Sequence, residues 1–171
     1  MNKLIILFLT TFLWLPQAAS ARDAQWHFRK GHRLYLESQS AESELEFKRA
    51  LQLDPGLSDA HYYLGSIYFK QERYLEAAAQ CRQAALISPK DLKSLIILGL
   101  SLERLGRLEE AINTYLLAQD IQKDSAAVHS ALGLAYCAKG ELAKAKEQYK
   151  QLRQQDSRLA EDLLMRINEA E

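Results

Sequence analysis

The chain has 171 residues, with 22 Lys and Arg set against 22 Asp and Glu, so its formal net charge is zero. A phosphate-binding surface would need a basic excess or stripe, and nucleic acid is therefore excluded as a partner class. About 150 residues beyond a leader suffice for one domain with a continuous core, but not for two large ones.

In chain order, Met1 to Ala21 carries one cation, Lys3, then an apolar core from Leu4 to Leu15, Pro16, and a small-x-small ending at Ala19-Ser20-Ala21. This is the form of a secretory signal peptide, cleaved after Ala21; its core is shorter than the roughly 20 residues of a comfortable membrane span. An uncleaved anchor is the alternative. The short, lysine-headed leader looks bacterial, so the expected location is periplasmic or secreted, with no membrane span after cleavage. Helices are then expected over Ala24 to Leu36, Ala41 to Leu53, Ser58 to Gln71, Tyr74 to Ile87, Leu92 to Leu105, Leu108 to Gln122, Ser125 to Lys139 and Leu142 to Gln155. Asp54-Pro55-Gly56 and Ser88-Pro89 stop two of them, because proline cannot continue a helix. Ser58 offers an N-cap to the third. Gly106 and Gly140 suit the left-handed residue that closes a helix. A last segment, 157–169, places Leu159, Leu163 and Ile167 four residues apart, as an amphipathic helix covering the end of a stack would. Nine helices and no strand follow.

Gly31, Gly65, Gly99 and Gly133 stand 34 residues apart. At an average glycine usage of about 7%, three successive coincidences have a chance of roughly 3 in 10,000. Around Gly65 the second copy reads His61, Leu64, Gly65, Tyr68, Ala77, Cys81, Ala84 and Pro89. This pattern resembles the tetratricopeptide repeat, of the exported bacterial type. The copies run over 24–57, 58–91, 92–125 and 126–159. They depart from the pattern at Lys30 and Ser43 in the first, Lys123 in the third, and Leu152 and Ser157 in the fourth. The resemblance implies an all-α fold, a right-handed α-solenoid of antiparallel helix pairs with four repeats and a C-terminal capping helix, as a single domain over 22–171. Gly65, Ala77 and Ala84 are expected to let paired helices approach with no side chain between them.

In the family, the first helix of each repeat lines the concave face through its second, fifth, ninth and twelfth positions. Carried over by register, these are Gln25, Phe28, His32 and Tyr35; Asp59, Tyr62, Ser66 and Phe69; Lys93, Ile96, Leu100 and Glu103; and Ala127, Ser130, Leu134 and Cys137. Phe28, Tyr35, Tyr62, Phe69, Ile96, Leu100 and Leu134 form an apolar strip, and such patches mark interaction sites. Ile96 and Leu100 are the sharpest of these, since Leu95, Leu98, Gly99 and Leu102 already supply the inward face of their helix. The expected function is a protein-interaction scaffold of the bacterial cell envelope. It would hold an apolar protein or peptide segment during assembly of a secretion, pilus or other envelope complex. The carboxylate clamp of some cytosolic members is missing, Lys93 being the one basic position apart from His32.

No HExxH, CxxC, phosphate-binding glycine loop or GxSxG occurs, so neither an enzyme nor a cofactor is expected. His27, His61 and His129 share the fourth position of a repeat and read as packing residues. Cys81 and Cys137 lie too far apart in the stack for a disulfide; Cys81 should be buried and inert, Cys137 reachable. A metal- or thiol-dependent redox protein using His32 and Cys137 is the alternative, and self-association as a homo-oligomer is a further possibility.

Overall fold

The computed structural model describes residues 20–171. The expected leader, Met1 to Ala21, lies outside them except for its last two residues, which belong to the first helix. Among the described residues there are nine helices and no strand. They are α1 (20–36), α2 (Ser40–Leu53), α3 (Ser58–Lys70), α4 (Tyr74–Ile87), α5 (Leu92–Arg104), α6 (Leu108–Ile121), α7 (Ala126–Lys139), α8 (Leu142–Leu152) and α9 (Ser157–Glu169). Short loops force neighbours antiparallel, and successive pairs stack so that the odd-numbered helices α3, α5 and α7 stand side by side. α9 packs on α7 and α8, closing the stack as an α-solenoid. No helix of the described residues is long and apolar enough to cross a membrane.

The glycines work differently from the expectation that nothing intervenes between paired helices. Gly31, Gly65, Gly99 and Gly133 are each a socket filled by one side chain. A Cβ on Gly31 would sit 3.0 Å from the Phe47 ring, one on Gly65 would overlap Cys81 Sγ, and one on Gly99 would lie 2.6 Å from Tyr115 Cζ and 2.7 Å from Cδ1. Phe47, Cys81 and Tyr115 each stand 16 residues beyond their glycine, and all three are fully buried. At Gly133 the socket is taken instead by Leu163 of α9. Burial pushes the Cys81 thiol up to about 12, as an inert core cysteine requires. Both cysteines are free.

The three aligned histidines are tethers more than packing groups. His27, His61 and His129 place Nδ1 2.6 Å from Glu46, 2.7 Å from Gln80 and 2.8 Å from Gln148, each 19 residues on along the partner helix. Nε2 of His61 and of His129 donates to the loop carbonyls of Pro55 and Lys123. In the second and fourth repeats one ring thus joins both helices to the preceding turn, while His27 joins the two helices alone. The departures in the first copy are also satisfied: Ser43 donates to the Gly31 carbonyl at 2.8 Å, and Lys30 donates to Glu46 at 3.1 Å.

Helix ends follow the expected punctuation with one correction. Ser58 is the first helical residue rather than the N-cap, and its hydroxyl donates to the Ala84 carbonyl of α4. Side-chain caps come instead from Asp91, which accepts from the Lys93 amide, and Asp156, which accepts from the amides of Arg158 and Leu159. Gly106 and Gly140 are left-handed, with φ of +74° and +79°. The same turns of the first two repeats, 34 and 68 residues earlier, use Ser38 and Glu72 at φ of 60° and 61°. A side chain there is strained where glycine is not. Glu72→Gly is therefore expected to raise unfolding free energy by about 0.5–1 kcal/mol in a urea titration, against the usual penalty for adding glycine.

Candidate functional site

The odd-numbered helices bring the register positions together on one face, but their surroundings differ along its length. At the N-terminal end the aromatics are packed on one another, with Tyr63 at the centre. Its ring lies 6.1 Å from Phe28, 5.0 Å from His32, 5.2 Å from Tyr35, 5.0 Å from Tyr62 and 5.3 Å, stacked, from Phe47. Tyr63 is not among the positions carried over from the family; its adjacency to Tyr62 was the available signal. Ser66 is buried and lies 2.8 Å from the Tyr35 hydroxyl, which also accepts from Lys70 at 2.9 Å. Burial drives the Tyr35 phenol upward, but these bonds outweigh it and leave the group below its ordinary value. Burial holds Tyr62 up at about 12. Phe28, Tyr35 and Phe69 are half-buried against the core of the first two repeats, and Phe69 meets Tyr74 edge-on.

In the middle, Ile96 and Leu100 are half-buried and lean on the main core cluster. They are thus not surplus to the interior: each divides its surface between core and groove. Lys93 is exposed, its ammonium 6.0 Å from the Tyr62 ring. Gln25, Asp59 and Ala127 are exposed and Ser130 is half-buried.

The C-terminal end opens into a cleft of about 500 Å³ between three helices. α5 supplies Glu103 and Arg104, α7 supplies Leu134, Cys137 and Ala138, and α9 supplies Arg166 and Glu169, with Ala170 just beyond its end. Leu134 is 38% exposed. The capping helix is therefore also a wall of the site, which its own amphipathic pattern could not reveal. Burial pushes the Glu103 carboxyl up to about 7 against the opposing pull of Arg104 and of the Tyr115 hydroxyl. Its Oε1 and the Tyr115 hydroxyl are both buried and have no other partner among the described residues; the phenol is the donor that meets the carboxyl, in a bond longer or more bent than usual, and it draws the carboxyl down while its own pKa is pushed up, chiefly by burial.

His32 and Cys137 sit at opposite ends of the face, one in the aromatic cluster and one on the cleft. Burial raises the Cys137 thiol despite Arg166, the reverse of what an activated thiolate needs. Among the described residues no group of three or more His, Cys, Asp or Glu could hold a metal ion.

Two family models match the sequence, that of Anaphase-promoting complex, cyclosome, subunit 3 over residues 37–118 and that of the TPR repeat over residues 99–140. A TPR repeat-containing protein of Methanocaldococcus jannaschii is 39% identical over 54 residues, which make up 32% of this chain and 10% of that protein. The match thus spans about a tenth of that relative's length. Among solved structures, MamA superposes with a TM-score of 0.75 at 21% identity, over 81% of each chain. YrrB, a TPR protein with an unusual peptide-binding site, gives 0.71 at 18% identity over 85% of this chain and 84% of its own. The first TPR of Spaghetti (RPAP3), bound to an HSP90 peptide, gives 0.66 at 19% identity over 69% and 94%. At such identities the likeness is one of fold.

Proposed function

Because the chain belongs to the tetratricopeptide repeat family, we propose that it is a protein-interaction scaffold whose concave face holds an apolar segment of a protein or peptide partner. The observation that carries this reading is that Ile96, Leu100 and Leu134, placed on one face by register, each keep part of their aliphatic surface out of the core, Leu134 beside polar groups in an open cleft. Water-exposed apolar surface of this kind gains by being covered, at about 25 cal/mol per Å². Peptide binding by YrrB and by the first TPR of Spaghetti supports the same use of the fold. The secretory form of residues 1–21 supports a place in the bacterial envelope, in assembly of a secretion, pilus or other multi-protein complex there.

The test is photocrosslinking from position 96 in the native host, combined with Leu134→Glu. Ile96 and Leu100 bear on the core, so a charge at either strikes folding as well as binding; Leu134 is the cleaner probe. Leu134→Glu is expected to reduce capture of the crosslinked partner at least tenfold. Its unfolding free energy should stay within about 0.5 kcal/mol of wild type. Undiminished capture would remove the groove from the function.

A further inference from the structure

Copies after the first press one face of their leading helix on the repeat before them. Tyr63 of α3 packs on Phe28 and Tyr35 of α1 and stacks on Phe47 of α2, and α5 and α7 lie against α4 and α6. The first copy turns the equivalent face outward. Ala60, Ser94 and Val128 are fully buried, but the residue 34 positions before Ala60 is Trp26, which is 57% exposed. Ile67, Ser101 and Ala135 are buried likewise, where the first copy has the exposed Arg33. Arg22, Trp26, Arg29 and Arg33 follow at intervals of four, three and four, and so share one side of α1. The last three, with Lys30, line a shallow hollow of about 290 Å³. Arginines alone would be the polar outer face that a terminal repeat needs for solubility; an exposed indole among them marks an interface.

The far end of the array carries the complement. α9 shows Arg158, Asp162, Met165 and Glu169 on its exposed side at the same intervals, with Glu161 beside them and Met165 58% exposed. We propose that copies of this chain stack end to end, α1 of one against α9 of the next, with the two helices antiparallel. In that direction the matching intervals set Arg22 against Glu169, Trp26 against Met165 and Arg29 against Asp162. The one like-charged pair, Arg33 and Arg158, is eased by Glu37, 4.0 Å from Arg33, and by Glu161, one turn from Arg158. Glu169 already meets Arg166 of its own helix at 3.0 Å, but an exposed pair of this kind is worth little and exchanges readily. Residues 1–19 contain no acid, so the leader does not answer the arginines. α9 also stands in for the second helix of a repeat when it plugs Gly133, which is the role of a helix seated before α1. Each copy keeps one head and one tail open, so association continues past the dimer and leaves the groove free. One helix from each copy makes a small contact, with an expected strength on the order of micromolar.

Sedimentation velocity of the full chain over a range of concentrations tests the stacking. Wild type should grow in mass beyond the dimer as concentration rises, and less so in high salt. Arg29→Glu and Asp162→Arg should each weaken association at least tenfold, because one change brings two acids face to face and the other two arginines. An equimolar mixture of the two variants should recover it, since every contact of an alternating chain then pairs opposite charges. Trp26→Ala should also cost at least tenfold. All three positions are exposed, so circular dichroism and melting should not change. Monomer mass up to about 1 mM, association indifferent to the single changes, or a mixture that fails to recover would each overturn the proposal. Association lost in Leu134→Glu and kept in Arg29→Glu would overturn it by moving the contact to the groove. A monomer that binds phosphatidylglycerol vesicles through Trp26 and the arginines would overturn it by reassigning the head to an anionic surface.

Discussion

Gly99→Ala lowers unfolding free energy by about 3 kcal/mol, in the opposite direction to helix propensity, which favours alanine by about 1 kcal/mol. The reason is the socket. A methyl group at position 99 would lie well inside van der Waals contact with three carbons of the Tyr115 ring, and that ring is fully buried and cannot swing away. Either the ring leaves its rotamer or α5 and α6 separate, and each course opens space in a close-packed interior. Guanidinium unfolding followed by circular dichroism measures the loss; a stabilised or unchanged protein would mean that the two helices slide apart freely. The second socket supplies a control. Gly65→Ala should be similarly harmful alone, because the new methyl overlaps Cys81 Sγ, and should be largely rescued by Cys81→Ala. The next nearest atoms there are the Ala77 carbonyl oxygen at 3.3 Å and the residue 81 amide nitrogen at 3.4 Å. A double-mutant cycle with a coupling energy below about 0.5 kcal/mol would contradict the account.

Glu103→Gln stabilises the protein at pH 8 by on the order of 2 kcal/mol and leaves it unchanged near pH 4.5. Burial raises the folded-state carboxyl to about 7, above the ordinary carboxylate range of the unfolded chain. Between those values the folded protein holds the proton more tightly. The contribution of this carboxyl to stability is therefore greatest on the acid side and falls as pH rises towards 7, whereas Glu44, Glu46, Glu76, Glu110 and Glu141, all held below their ordinary values, contribute the opposite way. Glutamine mimics the acid form and does not titrate, so the difference appears only where wild type has ionised. Partial solvent access to the carboxyl reduces the effect from its full value. A melting temperature about 4–8 °C higher at pH 8, vanishing at pH 4.5, is the expected pattern. A gain of equal size at both pH values would place its origin in packing rather than ionisation.

Much of the fold was legible because a 34-residue period repeats one physical solution. Four glycines in step announced the helix pairs, and Gly106 and Gly140 announced two of their turns. The pairs His27 with Glu46, His61 with Gln80 and His129 with Gln148 were equally available at a spacing of 19, but a single histidine position looks apolar until its partner is aligned with it. The left-handed Ser38 and Glu72 were hidden because neither residue type signals that conformation, though the glycine lattice extended backwards lands on both. The site was less accessible. Register places side chains on a face of their own helix and says nothing of what crosses it. Tyr63 draws the N-terminal aromatics into a packed cluster from between the assigned positions. The cleft around Glu103 needs Arg166 and Glu169, more than 60 residues away along the chain.

The handover at Gly133 also governs how such a chain can grow. Inside the array every socket is plugged by its own hairpin, so any internal copy is self-sufficient and could be duplicated or deleted in register. The last socket borrows its plug from Leu163 on the terminal helix. A module spliced in after residue 159 would inherit an unfilled hole on one side and displace Leu163 on the other. Lengthening by gene duplication is thus confined to the interior, and the C-terminal edge stays a one-off termination that must travel with its neighbour as a unit.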